Sequence, residues 1–116
     1  MYRKLTEAEC RDAMKHGEFS QTIVSSKPSV AIVLTQSWCP QWGWMRSYLP
    51  ALADSPDTDI YWLEYDQEPL YDAFLDFKED HFGNREIPYV RYYHHGKLVK
   101  ESNYIDKAGF LRMLKN

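Results

Sequence analysis

The feature that most constrains the fold is a short apolar segment that leads directly into the start of a helix. Val30 to Thr35 is a nearly continuous β-branched run, which is typical of a strand covered on both faces. Pro40 follows shortly after it, and proline suits the first turn of a helix, where no backbone N–H is needed. Met45 and Leu49 then recur at helical spacing. The sequence therefore predicts that a buried strand passes into a helix between Thr35 and Pro40.

A cysteine occupies this junction. Cys39 directly precedes Pro40, where the first N–H groups of a helix have no partner within the helix. These groups carry a partial positive charge, which stabilises a thiolate. Cys39 is therefore the candidate nucleophile of a site for thiol chemistry.

The second cysteine is predicted to be buried and unreactive. Cys10 shares a face with Ala13 in a helix predicted over Thr6 to His16, which begins with a capping box and is closed by Gly17. Two cysteines 29 positions apart form neither a disulfide framework nor a metal-ligand pattern.

The rest of the chain alternates strands with helices. The predicted elements are helices at 6–16, 40–53, about 66–82 and after Asp106, and strands at 30–35, 60–65, 89–93 and 97–101. Pro50 should kink or end the second helix about one turn earlier. Thr22 to Val24 fits either a short strand or an extended linker. The pattern predicts an α/β fold with a mixed sheet of about four strands and helices on both faces. The last two strands should form an antiparallel hairpin.

Composition narrows the possible functions. The 116 residues suit one domain, 1–116, and the net charge of −3 comes without a basic block, so no nucleic-acid partner is expected. No apolar run is long enough to cross a bilayer, and the N-terminus turns polar at once. We therefore expect a monomeric cytoplasmic protein without a membrane partner.

Lys78 lies among acidic residues on a helix face that we expect to be solvated.

Several motifs together resemble the thioredoxin family. Trp38-Cys39-Pro40-Gln41-Trp42 is similar to the family's Trp-Cys-x-x-Cys motif, and Asp66-Gln67-Glu68-Pro69 is similar to its Asp-x-x-x-Pro passage. Ile87-Pro88 resembles the pair that carries the family's cis-proline, and Gly96-Lys97 lies where the family turns its final hairpin. The resemblance runs from about Val30 to Leu114 and implies the thioredoxin fold.

Two departures from the family pattern bear on function. Trp42 stands where the resolving cysteine belongs, and Val33 stands where the family has a buried acid. A chain with one active thiol can form a mixed disulfide, but an external thiol must then release it. The Cys-Gly-Phe-Ser motif of monothiol glutaredoxins is absent, so no iron–sulfur cofactor is expected. His94 and His95 adjoin one another at a turn and are not expected to bind a metal.

The resemblance implies a possible monothiol thiol–disulfide oxidoreductase that acts in redox homeostasis on a protein or a low-molecular-weight thiol or disulfide. The residues implied to contact the substrate beside catalytic Cys39 are Trp38, Pro40, Trp42, Ile87 and Pro88. Trp42 could equally pack into the core, whereas Trp38 and Trp44 are better candidates for an exposed aromatic rim. The alternative function is a redox-silent binding module that holds a partner protein through this rim and the Pro88 edge.

Overall fold

Strands and helices alternate along the chain in the computed structural model, which describes residues 1–115. The strands are β1 (Tyr2–Lys4), β2 (Ser29–Thr35), β3 (Thr58–Glu64), β4 (Tyr89–His94) and β5 (Lys97–Ser102). The helices are α1 (Glu7–His16), α2 (Gln21–Val24), α3 (Pro40–Arg46), α4 (Leu49–Leu52), α5 (Tyr71–Asp76) and α6 (Lys107–Lys115). A 3₁₀ turn spans Tyr65–Gln67, and a π-helical segment, Phe77–His81, continues α5.

The predicted central strand lies in the middle of a mixed sheet. The sheet has five strands in the order β1–β3–β2–β4–β5. β2 pairs in parallel with β3 and antiparallel with β4. Every residue from Val30 to Leu34 is fully buried, as the apolar run predicts. The carboxyl end of β2 leads to α3, so this edge of the sheet positions Cys39.

The prediction of about four strands missed β1. This three-residue strand pairs in parallel with β3, with Tyr2 opposite Ile60. Its polar residues Arg3 and Lys4 give no strand pattern that could be read locally. Backbone pairing with β3, which continues in a hydrogen bond from Leu5 N to the Trp62 oxygen at 2.9 Å, holds the segment in place. A three-residue edge strand depends on its partner strand, which sequence periodicity does not register.

The predicted helix over Thr6 to His16 is confirmed. Thr6 is the N-cap, and it forms a reciprocal capping box with Glu9. Gly17 closes the helix in the left-handed conformation, at φ 82°. Thr22 to Val24, in contrast, is neither a strand nor an extended linker but belongs to the short helix α2. Burial of Ile23 and Val24 against the core accounts for that turn.

The predicted break before Pro50 is also present. α3 ends at Arg46, and the new helix α4 begins at Leu49 with Pro50 in its first turn. The last helix, α6, is capped as predicted, because Asp106 accepts a hydrogen bond from Gly109 N at 2.8 Å.

The predicted antiparallel hairpin forms, and its turn is shorter than the gap between the predicted strands at 89–93 and 97–101. Only His95 and Gly96 lie outside the strands, with φ angles of 50° and 81°. Two successive positive φ values are those of the type I′ turn that matches strand twist, and they favour glycine at the second position.

The two faces of the sheet carry separate apolar cores. Ile32 and Leu34 face the core that contains Cys10, under α1, α2 and α5. Ala31 and Val33 face the core that contains Cys39, under α3, α4 and α6. Because side chains alternate along a strand, β2 supplies both cores, and the sheet stands between the two sulfur atoms.

Candidate active site

Cys39 lies at the junction of β2 and α3, as the sequence predicts. It is the N-cap residue of α3, and its backbone oxygen accepts a hydrogen bond from Gly43 N at 3.4 Å. Its Sγ lies 3.9 Å from the carbonyl oxygen of Ile87. A reactive thiol at this position would be expected to face water, but only 7% of the residue is exposed. Packing of Cys39 against the core beneath α3 leaves a small accessible surface.

The loop before Cys39 is fixed by the predicted Asp66 passage. The Asp66 carboxylate accepts hydrogen bonds from Ser37 N at 2.8 Å and from Ser37 Oγ at 2.5 Å. Partial burial opposes ionisation of Asp66, but the bonds from Ser37 outweigh it and lower the pKa of this carboxyl. Gln67 Nε2 donates to Ser37 Oγ at 3.0 Å. These hydrogen bonds hold Ser37, and with it the backbone that leads into Cys39.

Exposed aromatic side chains flank Cys39. Trp38 is 67% exposed, and its indole N–H donates to Gln36 Oε1 at 2.7 Å. Trp44 is 60% exposed and meets Tyr104 edge to face, with 5.8 Å between ring centroids. We call Trp38, Trp44 and Tyr104 the aromatic rim. The predicted exposure of the two tryptophans is confirmed, whereas Tyr104 carries no sequence signal that singles it out. Pro40, at the start of α3, is also exposed.

Trp42 lies in the core and not on the surface beside Cys39. The residue has no exposed surface, and its indole N–H donates to Glu64 Oε2 at 2.7 Å. Arg46 also reaches Glu64 Oε2, at 3.3 Å. The side chain packs into the core because position 42 lies on the face of α3 that also buries Met45. Of the two positions that the sequence left open for Trp42, the side chain therefore has the one in the core.

The segment of residues 84–88, which we call the Pro88 loop, faces Cys39. The Ile87–Pro88 peptide bond is cis. Ile87 is partly exposed, whereas Pro88 is buried. The structure thus brings Cys39 to the backbone of Ile87.

Sequence reasoning missed the two side chains that hold the Pro88 loop. Asn103 Nδ2 donates to the carbonyl oxygens of Pro88 at 3.0 Å and of Glu86 at 3.3 Å. Lys78 Nζ also donates to the Glu86 oxygen. The prediction of a solvated Lys78 is wrong, since this residue is fully buried. The π-helical segment changes the side-chain register there, which helical periodicity did not anticipate.

Cys10 lies on the other side of the sheet and is fully buried, as predicted. Burial, followed by the nearby Glu68 and Glu9 carboxylates, raises the pKa of Cys10 to about 12. Its thiol is therefore neither exposed nor ionised at neutral pH, and the intervening sheet keeps it from Cys39.

We expect iodoacetamide to modify Cys10 in native protein on the order of a hundredfold more slowly than in urea-unfolded protein, because modification requires local opening. Mass spectrometry of digested Cys39→Ser protein measures this rate. Equal rates in the two states would contradict the burial of Cys10.

Residues 1–115 contain neither a cluster of metal ligands nor a membrane-spanning helix. Within residues 1–115, no three histidine, cysteine, aspartate or glutamate side chains lie together as a set of metal ligands. Over the same residues, every helix is too short or too polar to cross a bilayer.

Thioredoxins are among the solved structures that resemble this chain. Thioredoxin O1 from Arabidopsis thaliana superimposes with a TM-score of 0.71 at 14% identity, over 98% of this chain and 95% of that chain. The chain has the thioredoxin fold. A mutant thioredoxin from Halobacterium salinarum gives 0.67 at 15% identity, over 99% and 87% of the two chains. Trxlp from Edwardsiella tarda gives 0.65 at 17% identity, over 100% of both chains.

Sequence comparison alone does not reach this result. No protein-family model matches the chain, and no curated protein does either. The thioredoxin fold therefore rests on the strand order and on the structural superpositions.

Proposed function

We propose that this protein is a thioredoxin-like protein of thiol–disulfide chemistry, with Cys39 as its single active thiol. The observation that carries the proposal is the placement of Cys39 at the start of α3, with its Sγ 3.9 Å from the Ile87 carbonyl oxygen. Reactive cysteines in proteins recur at the first turn of a helix, which is where Cys39 lies. Thioredoxin-fold neighbours support a redox role.

The proposed reaction begins with attack of the Cys39 thiolate on one sulfur of a substrate disulfide. A Cys39–substrate S–S bond forms, the substrate S–S bond breaks, and the second substrate sulfur leaves as a thiolate that takes a proton from water. An external thiolate then attacks the substrate sulfur of the mixed disulfide. This step releases the Cys39 thiolate and forms a disulfide between the substrate and the external thiol.

The external thiol is needed because the chain offers no second thiol near Cys39. Trp42 occupies the position of a resolving cysteine and is held in the core by Glu64. Cys10 lies in the opposite core. We place this chemistry in the cytoplasm, where low-molecular-weight thiols are kept reduced and can act as the second thiol. A protein or low-molecular-weight disulfide is the proposed substrate, contacted through the aromatic rim, and the proposed unit is a monomer.

The deciding experiment uses oxidised glutathione. We expect Cys10→Ser protein to form one glutathione adduct on Cys39, and added reduced glutathione to remove it. Cys39 of this protein should also react with iodoacetamide in the native state, since the residue keeps a small exposed surface. Mass spectrometry and peptide mapping measure both reactions.

The matched control is Cys39→Ser protein, in which only Cys10 remains and no adduct should form. Failure of Cys10→Ser protein to form an adduct, together with no reaction of native Cys39 with iodoacetamide, would overturn the proposal. A Cys39→Ser protein that kept its biological partner and activity would instead favour a redox-silent binding module.

A further inference from the structure

The least expected group near the proposed site is a buried lysine. Lys78 is fully buried in the π-helical segment, and its Nζ donates to the carbonyl oxygen of Glu86 in the Pro88 loop. The ammonium also lies 5.7 Å from the centroid of the Tyr89 ring. Within the described chain, no carboxylate lies within ion-pair distance of Lys78. Burial of an ammonium without a carboxylate partner costs free energy of folding, so a functional role would explain why Lys78 is bound to this loop.

The backbone oxygens of residues 86–88 all lie against side chains of the protein. The oxygen of Glu86 accepts from Lys78 and Asn103, and that of Pro88 accepts from Asn103. The oxygen of Ile87 faces the Cys39 sulfur. Three elements distant in sequence therefore fix the orientation of successive peptide planes beside the thiol.

The orientation of the Glu86–Ile87 peptide has a direct consequence. In a trans peptide unit the C=O and the N–H point in opposite directions. The Glu86 oxygen points inward to Lys78, so the Ile87 N–H points away from it. No residue in the range 1–115 accepts a hydrogen bond from this N–H. A charged donor on the carbonyl also polarises the peptide, which makes its N–H a stronger donor.

We propose that Lys78 is a positioning residue that fixes the Glu86–Ile87 peptide, so that the Ile87 N–H is presented to the backbone carbonyl of an extended peptide disulfide bound at Cys39. This inference rests on the proposed function. Pairing of one backbone with another through such a donor is the mode of β-strand addition. The substrate class it favours is a polypeptide disulfide rather than a small disulfide without peptide groups.

The test compares two disulfides. Both Lys78→Met protein and wild type react with 4,4′-dithiodipyridine, which has no backbone, and with a peptide whose cysteine is activated by thionitrobenzoate. We expect Lys78→Met to slow the peptide reaction about tenfold relative to the dithiodipyridine reaction, which is the effect of weakening one hydrogen bond. Lys15→Met, which removes the same charge from an exposed site on α1, should leave the ratio unchanged.

A ratio in Lys78→Met protein equal to that in Lys15→Met protein overturns the positioning role. If wild type reacts with neither disulfide, the proposed function itself fails. If Lys78→Met protein does not fold, an NMR measurement on the wild type tests the same contact. The ¹³C chemical shift of the Glu86 carbonyl should follow the titration of the Lys78 side chain. A Glu86 shift that stays constant while Lys78 titrates overturns the contact on which the proposal depends.

The pH dependence of the protein's stability should also depend on the burial of Lys78 beside Glu86. Burial lowers the pKa of Lys78 to about 8, and nearby Glu79 and Glu86 oppose this shift only in part. Tyr89 faces the ammonium from β4. An unfolded lysine titrates near about 10.4, so between these pH values the unfolded state binds more protons, and this group makes the protein more stable as pH rises. Below pH 8 the full cost of the buried charge is present.

We therefore expect the urea midpoint of wild type to rise relative to that of Lys78→Met protein between pH 7 and pH 10. Use of the difference between the two proteins removes the contributions of Cys10 and the tyrosines, which lower stability above pH 9. A difference that does not change with pH would place Lys78 in water and overturn the contact.

Discussion

Replacement of Trp42 by alanine should destabilise the protein by about 3–5 kcal/mol, which is the cost of deleting a large buried aromatic side chain. The indole is fully buried in the core beneath α3, where it lies 6.0 Å from the ring of Trp62. Its loss leaves a cavity and removes the indole donor from Glu64. Urea unfolding followed by circular dichroism measures this effect.

Trp44 provides the matched control for this prediction. It lies two residues further along α3, but 60% of it is exposed. Trp44→Ala should change the free energy of unfolding by less than about 1 kcal/mol, because little apolar surface is returned to water. If the two alanine variants were equally stable, the burial of Trp42 and its assignment to the core would both be contradicted.

Replacement of Arg91 by methionine should lower the free energy of unfolding by about 2–4 kcal/mol, because a buried network of hydrogen bonds loses its cationic donor. Only 7% of the Arg91 side chain is exposed, and its guanidinium lies 3.8 Å from the centroid of the Phe82 ring. It donates to Tyr93 at 2.8 Å, to Tyr89 at 2.9 Å and to Glu18 at 2.5 Å. These bonds join β4 to the loop after α1, and methionine can fill the space without replacing them.

The control for Arg91 is an exposed arginine. Arg85 pairs with Glu79 and Asp80, but 70% of its side chain is exposed, so Arg85→Met should cost no more than about 1 kcal/mol. Addition of Glu18→Gln to Arg91→Met should cost less than Glu18→Gln does in wild type, since its partner is already gone. Equal urea midpoints for Arg85→Met and Arg91→Met would refute the role of Arg91.

Comparison of Trp42 with Lys78 shows the limit of sequence periodicity. Helical spacing placed Trp42 on the same face as Met45, which is the core face, but the resemblance also made it a candidate contact. Lys78 had helical spacing within a charged run, and that pattern indicated solvent. A π-helical segment breaks the 3.6-residue period on which such patterns depend, so its effect on Lys78 had no local signature.

The sequence by itself determined the central strand Val30–Leu34, the position of Cys39 before Pro40, the capped helix α1 and the final hairpin. Each follows from signals within a few residues, namely apolar runs, caps and turn residues. Only the tertiary structure decided that β1 joins the sheet, that Cys39 faces Ile87, and that Lys78 and Asn103 hold the Pro88 loop. These contacts join residues far apart in the chain, and their formation depends on packing and backbone pairing, which local patterns do not encode.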